Sequence, residues 1–477
     1  MVPNPYRWTW YQQLSQTYGP IFRMSILFDR LVIISDPKVA EELFTRRVLN
    51  YSSRKFLAYT SGIRSRNRRM LLMQYGDDFL KQRAAMQLLF KPDAIESNRH
   101  RQKQQAVKLL IDFLDDNGAE NWNNYLKYYA SGVALGIAFG MSVFKAHERM
   151  PLMIGNTETL GIDLKIGQSL PDIAPWLEYL PDFLAPWRAR GREVHEYEAK
   201  LFGGWAEESK HEDPSVLKKE SLVGQMWRNQ EAIGLDDKSV AYVGGSVGEA
   251  GTNTTQCVLA CFLYACTLFP SITEHAQKEL DAVVGDKRLP DFSDLPNLPY
   301  LWSLVKEILR WVPVTPLALP HYINEDDSYQ GYHIPGRSLA ITSIWNMHRD
   351  PSIFEDPDAF DPLRFYQVNS EGKVPPEASL TSGIWTFGFG RRSCPGRRLG
   401  VDSVWLGAAH FLWAFNISKD PTKAVNDYSK NPFDGIHWRD SVNVEPKELP
   451  LDIKLRSHAR GILVREEWEA YGLQERD

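Results

Sequence analysis

Between residues 77 and 284 the apolar side chains recur every three or four positions, the spacing that gathers them on one face of an α-helix. This periodicity predicts helices at 77–91, 94–116, 121–140, 190–209, 239–269 and 271–284. Near the N-terminus the pattern differs. Two short β runs, Phe22 to Phe28 and Leu31 to Ile34, are separated by Asp29-Arg30 and predict a hairpin. Asp36-Pro37 then opens a helix through Ala40, Leu43 and Phe44, with Asp36 as N-cap and Pro37 at the first helical position. Further short strands are expected near 329–334, 339–342 and 451–464. No repeat, low-complexity tract or long Gly/Ser linker interrupts the chain, and the only charge-rich shift, Glu207 to Glu220, is short. The expectation is a mainly α (α+β) protein in which 1–477 form one large helical domain with small β-sheets.

The 239–269 helix would extend about 46 Å at 1.5 Å per residue, so it must cross the core. Its middle carries Gly244-Gly245, Gly248 and Ala250-Gly251, then Thr252-Asn253-Thr254-Thr255, which is poor helix material. Two readings are open for the small residues: close packing of a neighbouring helix, or approach of another group to the backbone. The Thr and Asn side chains can compete for helical hydrogen bonds and open a local distortion.

Composition narrows the class. Among 477 residues, 43% are apolar and 24% charged, too polar for life inside a bilayer. Lys plus Arg total 55 against 60 Asp plus Glu, a net charge of −5 that gives no whole-chain argument for nucleic acid. Four cysteines in so long a chain cannot form the disulfide framework of a small secreted domain, which favours a reducing compartment. The first 25 residues contain no signal-type apolar run. The longest uncharged apolar stretch, Cys257 to Pro270, falls short of the roughly 20 residues that span a bilayer. Aromatic residues make up 12%, including 15 Trp, which fits a large core, an apolar cavity or a membrane-facing surface. Leu170 to Trp187 bears on that choice, because prolines at 171, 175, 181 and 186 alternate with Trp176, Tyr179, Phe183 and other apolar residues. Such a segment either dips into the lipid interface, where Trp and Tyr are favoured, or packs on its own domain.

Cys257, Cys261 and Cys266 lie on the long helix and do not share one face, so they cannot jointly hold a metal and are read as core. Cys394 differs. It sits in Phe387-Gly388-Phe389-Gly390-Arg391-Arg392-Ser393-Cys394-Pro395-Gly396, immediately before the helical run Arg397 to Phe415. A helix N-terminus and its N–H groups lower a thiol's pKa, and Arg392 is expected to add to this. Gly390 permits a bulge and Gly396 lets something flat approach the backbone. A lone thiolate so placed is a nucleophile, a redox thiol or an axial ligand; no CxxC partner exists for redox exchange or zinc.

The string Phe387-x-x-Gly390-x-Arg392-x-Cys394-x-Gly396 resembles the haem-binding signature of the cytochrome P-450 family. Glu307-x-x-Arg310, Pro362-x-Arg364-Phe365 and Ala250-Gly251-x-Asn253-Thr254-Thr255 match further motifs in order, and Phe79-x-x-x-Arg83 is similar to the family's helix-C motif with Phe in place of Trp. The resemblance runs from Tyr18-Gly19-Pro20 to the C-terminal strands. It implies haem b with Cys394 as axial thiolate, Arg392, Arg83 and His321 around the propionates, and Phe387 shielding the thiolate. It implies a groove at Ala250 and Gly251, and Thr254 as the relay hydroxyl. Asn253 stands where an acid is common, so Glu249 or a water chain is expected to supply protons. Glu307, Arg310 and Arg364 are implied to lock the core beneath the haem.

The resemblance further implies a monooxygenase that takes electrons from NADPH through a cytochrome P-450 reductase, with a cytochrome b-type donor as a second source. Lys81, Arg391, Arg397 and Arg398 would face this partner. Dioxygen and a small apolar substrate are expected, the latter held by residues in 56–72, 160–170, 242–254 and 314–319, with Val314, Leu317 and Leu319 near the haem. The segments Leu289 to Tyr300, Glu307 to Val314 and the Gly331-Tyr332-x-Ile334-Pro335 turn most resemble fungal members of secondary metabolism. A haem-thiolate isomerase or dehydratase working without reductase is the alternative, and a haem sensor or carrier the third. A monomer at the endoplasmic reticulum surface is implied, yet the chain begins Met1-Val2-Pro3 directly before its first expected helix, without the usual transmembrane anchor.

Overall fold

The computed structural model describes residues 6–116, 120–165, 168–211, 220–375, 378–379, 381–422, 438–440 and 442–474. Of the charge-rich stretch Glu207 to Glu220, residues 212–219 lie outside the described residues, as do Met1, Val2 and Pro3. The long helix is Asp237–Leu268, and its buried residues extend from Val240 to Thr267. Asp236 caps it, accepting from Ser239 N–H at 2.8 Å and from Arg68 at 2.6 Å.

Glycines bring neighbouring helices onto this central helix. A Cβ on Gly245 would lie 2.5 Å from the Phe202 ring, one on Gly248 2.3 Å from Met153, and one on Gly251 2.8 Å from Ala134. Of the two readings open for these residues, close helix packing is the one realised at Gly245, Gly248 and Gly251. The helix continues unbroken through Thr252 to Thr255. The expected distortion is absent because Thr252 and Thr254 return their hydroxyls to the carbonyls of Gly248 and Ala250, each at 2.7 Å, without displacing the ladder.

Around it pack Trp122–Phe139, Pro186–Glu208, Pro270–Val283, Pro299–Trp311 and Arg397–Ala414, with Pro92–Asp115 laid against Trp122–Phe139 and Arg397–Ala414. Between them lies a helix that the periodicity does not predict, Val143–Asp163, with Pro151 inside it. Proline lacks the N–H of a helix interior, so its presence hid the pattern; buried Met150, Met153 and Leu160 hold the helix by tertiary packing.

The hairpin consists of β1 (Ile21–Ile26) and β2 (Asp29–Ile34), with Ile26 opposite Asp29. Its turn is Leu27-Phe28, Leu27 at φ 52°, so Asp29-Arg30 belongs to β2 and not to the connection. The remaining strands are β3 (His321–Ile323), β4 (Asp327–Tyr329), β5 (Tyr332–Ile334), β6 (Ser338–Thr342), β7 (Phe415–Lys419), β8 (Trp438–Asp440), β9 (Val444–Pro446) and β10 (Leu451–Leu455). The largest sheet has order β1-β2-β6-β3, and β7 pairs with β10. The strand expected to reach 464 ends at Leu455; His458–Gln474 is helical, started by Ser457, whose hydroxyl accepts the Arg460 N–H at 3.3 Å. Val464 is buried in the core from that helix and supplied the misleading apolar signal.

Candidate active site

Cys394 lies in the connection between the one-turn helix Gly390–Arg392 and the Arg397–Ala414 helix. Its N–H donates to the Phe387 carbonyl at 2.8 Å, closing the loop. Gly388 and Gly390 have φ of 71° and 55°, a region that disfavours side chains. At Gly390 a Cβ would also stand 2.1 Å from the Phe44 carbonyl oxygen, so this position admits glycine only. Gly396 is different: a Cβ there meets nothing within 4 Å, which leaves open space beside the thiol.

Burial pushes the half-buried Cys394 thiol above its ordinary pKa; the Gly396 N–H, Arg83 and Arg397 act in the opposite direction. This corrects the expectation that the thiol is depressed by Arg392. That side chain is turned away, donating to the carbonyls of Ser52 (2.7 Å), Met70 (3.0 Å) and Met73 (2.6 Å), with its guanidinium 3.7 Å from the centre of the Phe79 ring. Phe79, standing where the resemblance expects Trp, supplies the ring face without an N–H.

Arg83 reaches Ser393 Oγ at 3.5 Å. His321 is buried in β3 and donates from Nδ1 to the Tyr51 carbonyl at 2.6 Å. Burial and the cations of Arg54 and Arg392 hold it neutral, far below its ordinary pKa. Arg54, which sequence reasoning missed, is buried and donates to the carbonyls of Leu319 and Pro320 at 2.7 and 2.6 Å. Burial lowers it to about 10, and burial with the neighbouring Arg54 and Arg83 lowers Arg392 to about 9. Among the described residues no carboxylate pairs with Arg54, Arg83 or Arg392, so a region of clustered positive charge stands without its anion.

Behind the loop, Glu307 and Arg310 form a fully buried bidentate pair at 2.7 Å for both contacts, and Arg364 approaches Glu307 at 3.6 Å. Arg310 also donates to the carbonyls of His348, Pro357 and Ala359. His348 was not legible in the sequence. Its Nε2 accepts the Trp385 N–H at 2.9 Å, so its Nδ1 donates to the Arg310 carbonyl, also at 2.9 Å. Thr386 donates to the Leu309 carbonyl at 2.7 Å, and these contacts fasten the cysteine loop to the Pro299–Trp311 helix.

On the central helix Ala250 is exposed, and Ser246, Val247, Gly251, Asn253 and Thr254 are half-buried, an open stripe in an otherwise buried helix. Thr254 keeps its hydroxyl hydrogen on the Ala250 carbonyl. Glu249, the expected alternative proton source, is captive: Arg69 donates to both its oxygens at 2.9 and 2.6 Å, and Asn156 donates to one of them at 2.8 Å. Among the described residues no group of three or more His, Cys, Asp and Glu is placed to hold a metal ion.

A family model described as Cytochrome P-450 matches residues 6–441. The chain belongs to the cytochrome P-450 family. Similar relatives include the cytochrome P-450 monooxygenase virE of Hypocrea virens, 30% identical over 96% of this chain and 83% of that protein, and monooxygenase 58 of Postia placenta, 32% identical over 86% and 78%. The monooxygenase fogE of Aspergillus ruber is 27% identical over 98% of the chain and 86% of its own. A zebrafish cytochrome P-450 solved with progesterone shares the fold, with a TM-score of 0.77 at 21% identity over 95% of this chain and 100% of that one. The protein is thus a cytochrome P-450 monooxygenase of a group with fungal relatives. The family implies haem, and the residues fit it: a single thiol, open space at Gly396, and guanidiniums lacking the carboxylates that a haem carries. Among the described residues no single helix is long and apolar enough to cross a membrane.

Proposed function

We propose that this cytochrome P-450 inserts one oxygen atom of O2 into a small apolar molecule of fungal secondary metabolism, with NADPH as electron source through a reductase. The observation that carries the reading is the cluster of Arg54, Arg83 and Arg392 beside the Cys394 loop, guanidiniums without a carboxylate partner among the described residues. Arg54, Arg83 and Arg392 would receive the propionates of haem b and Cys394 would hold its iron through the thiolate; His321, expected with them, spends its one N–H on the Tyr51 carbonyl and has none for a carboxylate. When bound, haem supplies the iron at which dioxygen is activated.

The chain's own residues do the rest. Thr254 holds a proton at Oγ1, Asn253 orients water through its amide, and Ala250 leaves room at the open stripe; Gly251, expected in the same groove, instead admits the close approach of Ala134. Val247 and Ala250 give the stripe apolar contact, and Ser246 Oγ, buried without a partner among the described residues, offers a substrate one hydrogen bond. Lys81, Arg391, Arg397 and Arg398 are exposed and would meet an acidic reductase surface, or a cytochrome b-type donor. A second reading, an isomerase or dehydratase needing no reductase, is favoured by Asn253 together with the captive Glu249, because no free carboxylate among the described residues serves Thr254.

The two separate in one experiment. Purified protein is incubated with host extract fractions, with and without NADPH and reductase. Product that requires both, and carries 18O from labelled O2, is the expected result; turnover without NADPH would establish the second reading instead.

The exposed apolar residues extend the proposal to a membrane surface. Tyr179 is 90% exposed, Phe183 82% and Trp176 53%, so the middle of Leu170 to Trp187 stands off its own domain, while Pro171 and Ala185 are buried at its two ends. Trp176 meets Phe28 edge-on at 4.9 Å, so the tip of the β1-β2 hairpin joins the same patch. Peripheral contact with a lipid interface, at the endoplasmic reticulum by resemblance, accounts for this exposure.

A further inference from the structure

The helix that follows Cys394, Arg397–Ala414, lies against Pro92–Asp115. On the latter, Ala106, Leu109, Leu110 and Phe113 are buried at helical spacing, and the Phe113 ring meets that of Phe411 at 4.7 Å. One turn back the same stripe calls for an apolar residue at 102. The residue there is Gln102, and it is fully buried. Its Nε2 donates to the Leu399 carbonyl at 3.0 Å and to Ser403 Oγ at 2.8 Å. The Ser403 hydroxyl donates to the same carbonyl at 2.8 Å, and the Ser403 carbonyl accepts from Tyr129 Oη of Trp122–Phe139 at 2.7 Å. Gln102 Oε1 is buried without a partner among the described residues.

A buried amide with an unpaired oxygen is a costly way to fill this position, since a leucine of similar volume would pack with no polar atom to satisfy. What the amide does and leucine cannot is fix register. Apolar faces slide along one another at little cost, whereas a buried hydrogen bond of definite length is made at one axial position only.

The place of this tie along the helix gives it a task. Leu399 stands in the first turn, just beyond Cys394, while Gly396, the N-cap, makes no side-chain hydrogen bond. On the other side of the thiol the loop is fastened at Trp385 and Thr386. Cys394 therefore lies between two fastenings, and the second one governs how far the start of the helix reaches towards the sulfur. A ligand atom tolerates little displacement, so groups that orient it from behind matter almost as much as the ligand.

We propose that Gln102, acting through Leu399 and Ser403, is a positioning residue that sets the axial register of the Arg397–Ala414 helix and with it the place of the Cys394 sulfur. The inference rests on the reading of Cys394 as the haem thiolate. The test reduces haem-loaded protein under carbon monoxide and follows the thiolate-type band with time. In Gln102→Leu this band decays about tenfold faster than in the wild type. Its Tm does not fall, because the unpaired oxygen leaves with the amide while Leu399 and Ser403 still bond each other. Ser403→Ala, which removes one of the two acceptors, gives an intermediate rate. Gln105→Leu is the control: it deletes another buried, unpartnered oxygen from the same helix, one that lies against Gly132 and not against the cysteine helix, and it keeps the wild-type rate. A wild-type rate in Gln102→Leu with haem retained overturns the positioning role, and so does an equal acceleration in Gln105→Leu. If Gln102→Leu takes up no haem, an unchanged rate in Ser403→Ala overturns it. A wild type that binds haem without a thiolate-type band overturns the reading of Cys394 instead.

Discussion

Thr254 donates its hydroxyl hydrogen to the Ala250 carbonyl, which fixes the side chain and leaves the oxygen lone pairs to accept from water. Its neighbours restrict the supply of protons: Asn253 has none to exchange, and Glu249 is committed to Arg69. On the proposed monooxygenase reading delivery depends on water ordered by Thr254, and Thr254→Ala is expected to lower product formed per NADPH consumed by about tenfold or more, whereas Thr254→Ser retains it. Product and NADPH measured together check this, and an unchanged ratio rejects the relay role. At this scale the sequence was informative where chemistry concentrates in a short string. Cys394, with glycines on either side, is legible because the loop is local. Arg54 is not, because Ser52-Ser53-Arg54 carries no pattern and the role arises only when β3 and the cysteine loop bring His321 and Arg392 beside it.

The central helix carries the open stripe, and its start is set by Asp236. This carboxylate accepts from Ser239 N–H and Arg68, and these contacts outweigh its partial burial, holding it down to about 2. A depressed acid stabilises the fold fully above its unfolded pKa, near 3.8, and loses that contribution as pH falls through about 2. Asp236→Ala is therefore expected to cost about 1–2 kcal/mol near neutral pH, read as a lower Tm, with the gap from the wild type closing between pH 4 and 2. A gap independent of pH in that range would show that the cap works through shape alone. Elements with strong periodicity were readable from sequence; the failures have specific causes. Pro151 masked Val143–Asp163, and Ile462-Leu463-Val464 imitated a strand in what is the helix His458–Gln474. In both, tertiary packing decides against the local signal.

The whole molecule has two faces that function must reconcile, an apolar patch at Phe28, Trp176 and Phe183 and an exposed basic group at Lys81, Arg391, Arg397 and Arg398. Changing Phe28, Trp176 and Phe183 together to Ser is expected to cut co-sedimentation with phosphatidylcholine vesicles at least fivefold while haem content is kept; equal sedimentation would exclude the patch as a lipid contact. The aromatic abundance seen in the composition thus divides between core and surface, a division that no count of residues conveys. The central claim is that one thiol, Cys394, holds a haem iron, and the reduced carbon-monoxide difference spectrum tests it most directly. The account predicts a thiolate-type red-shifted band in the wild type that is lost in Cys394→Ala and kept in Cys257→Ala; a band that survives in Cys394→Ala, or is missing from the haem-loaded wild type, would contradict it.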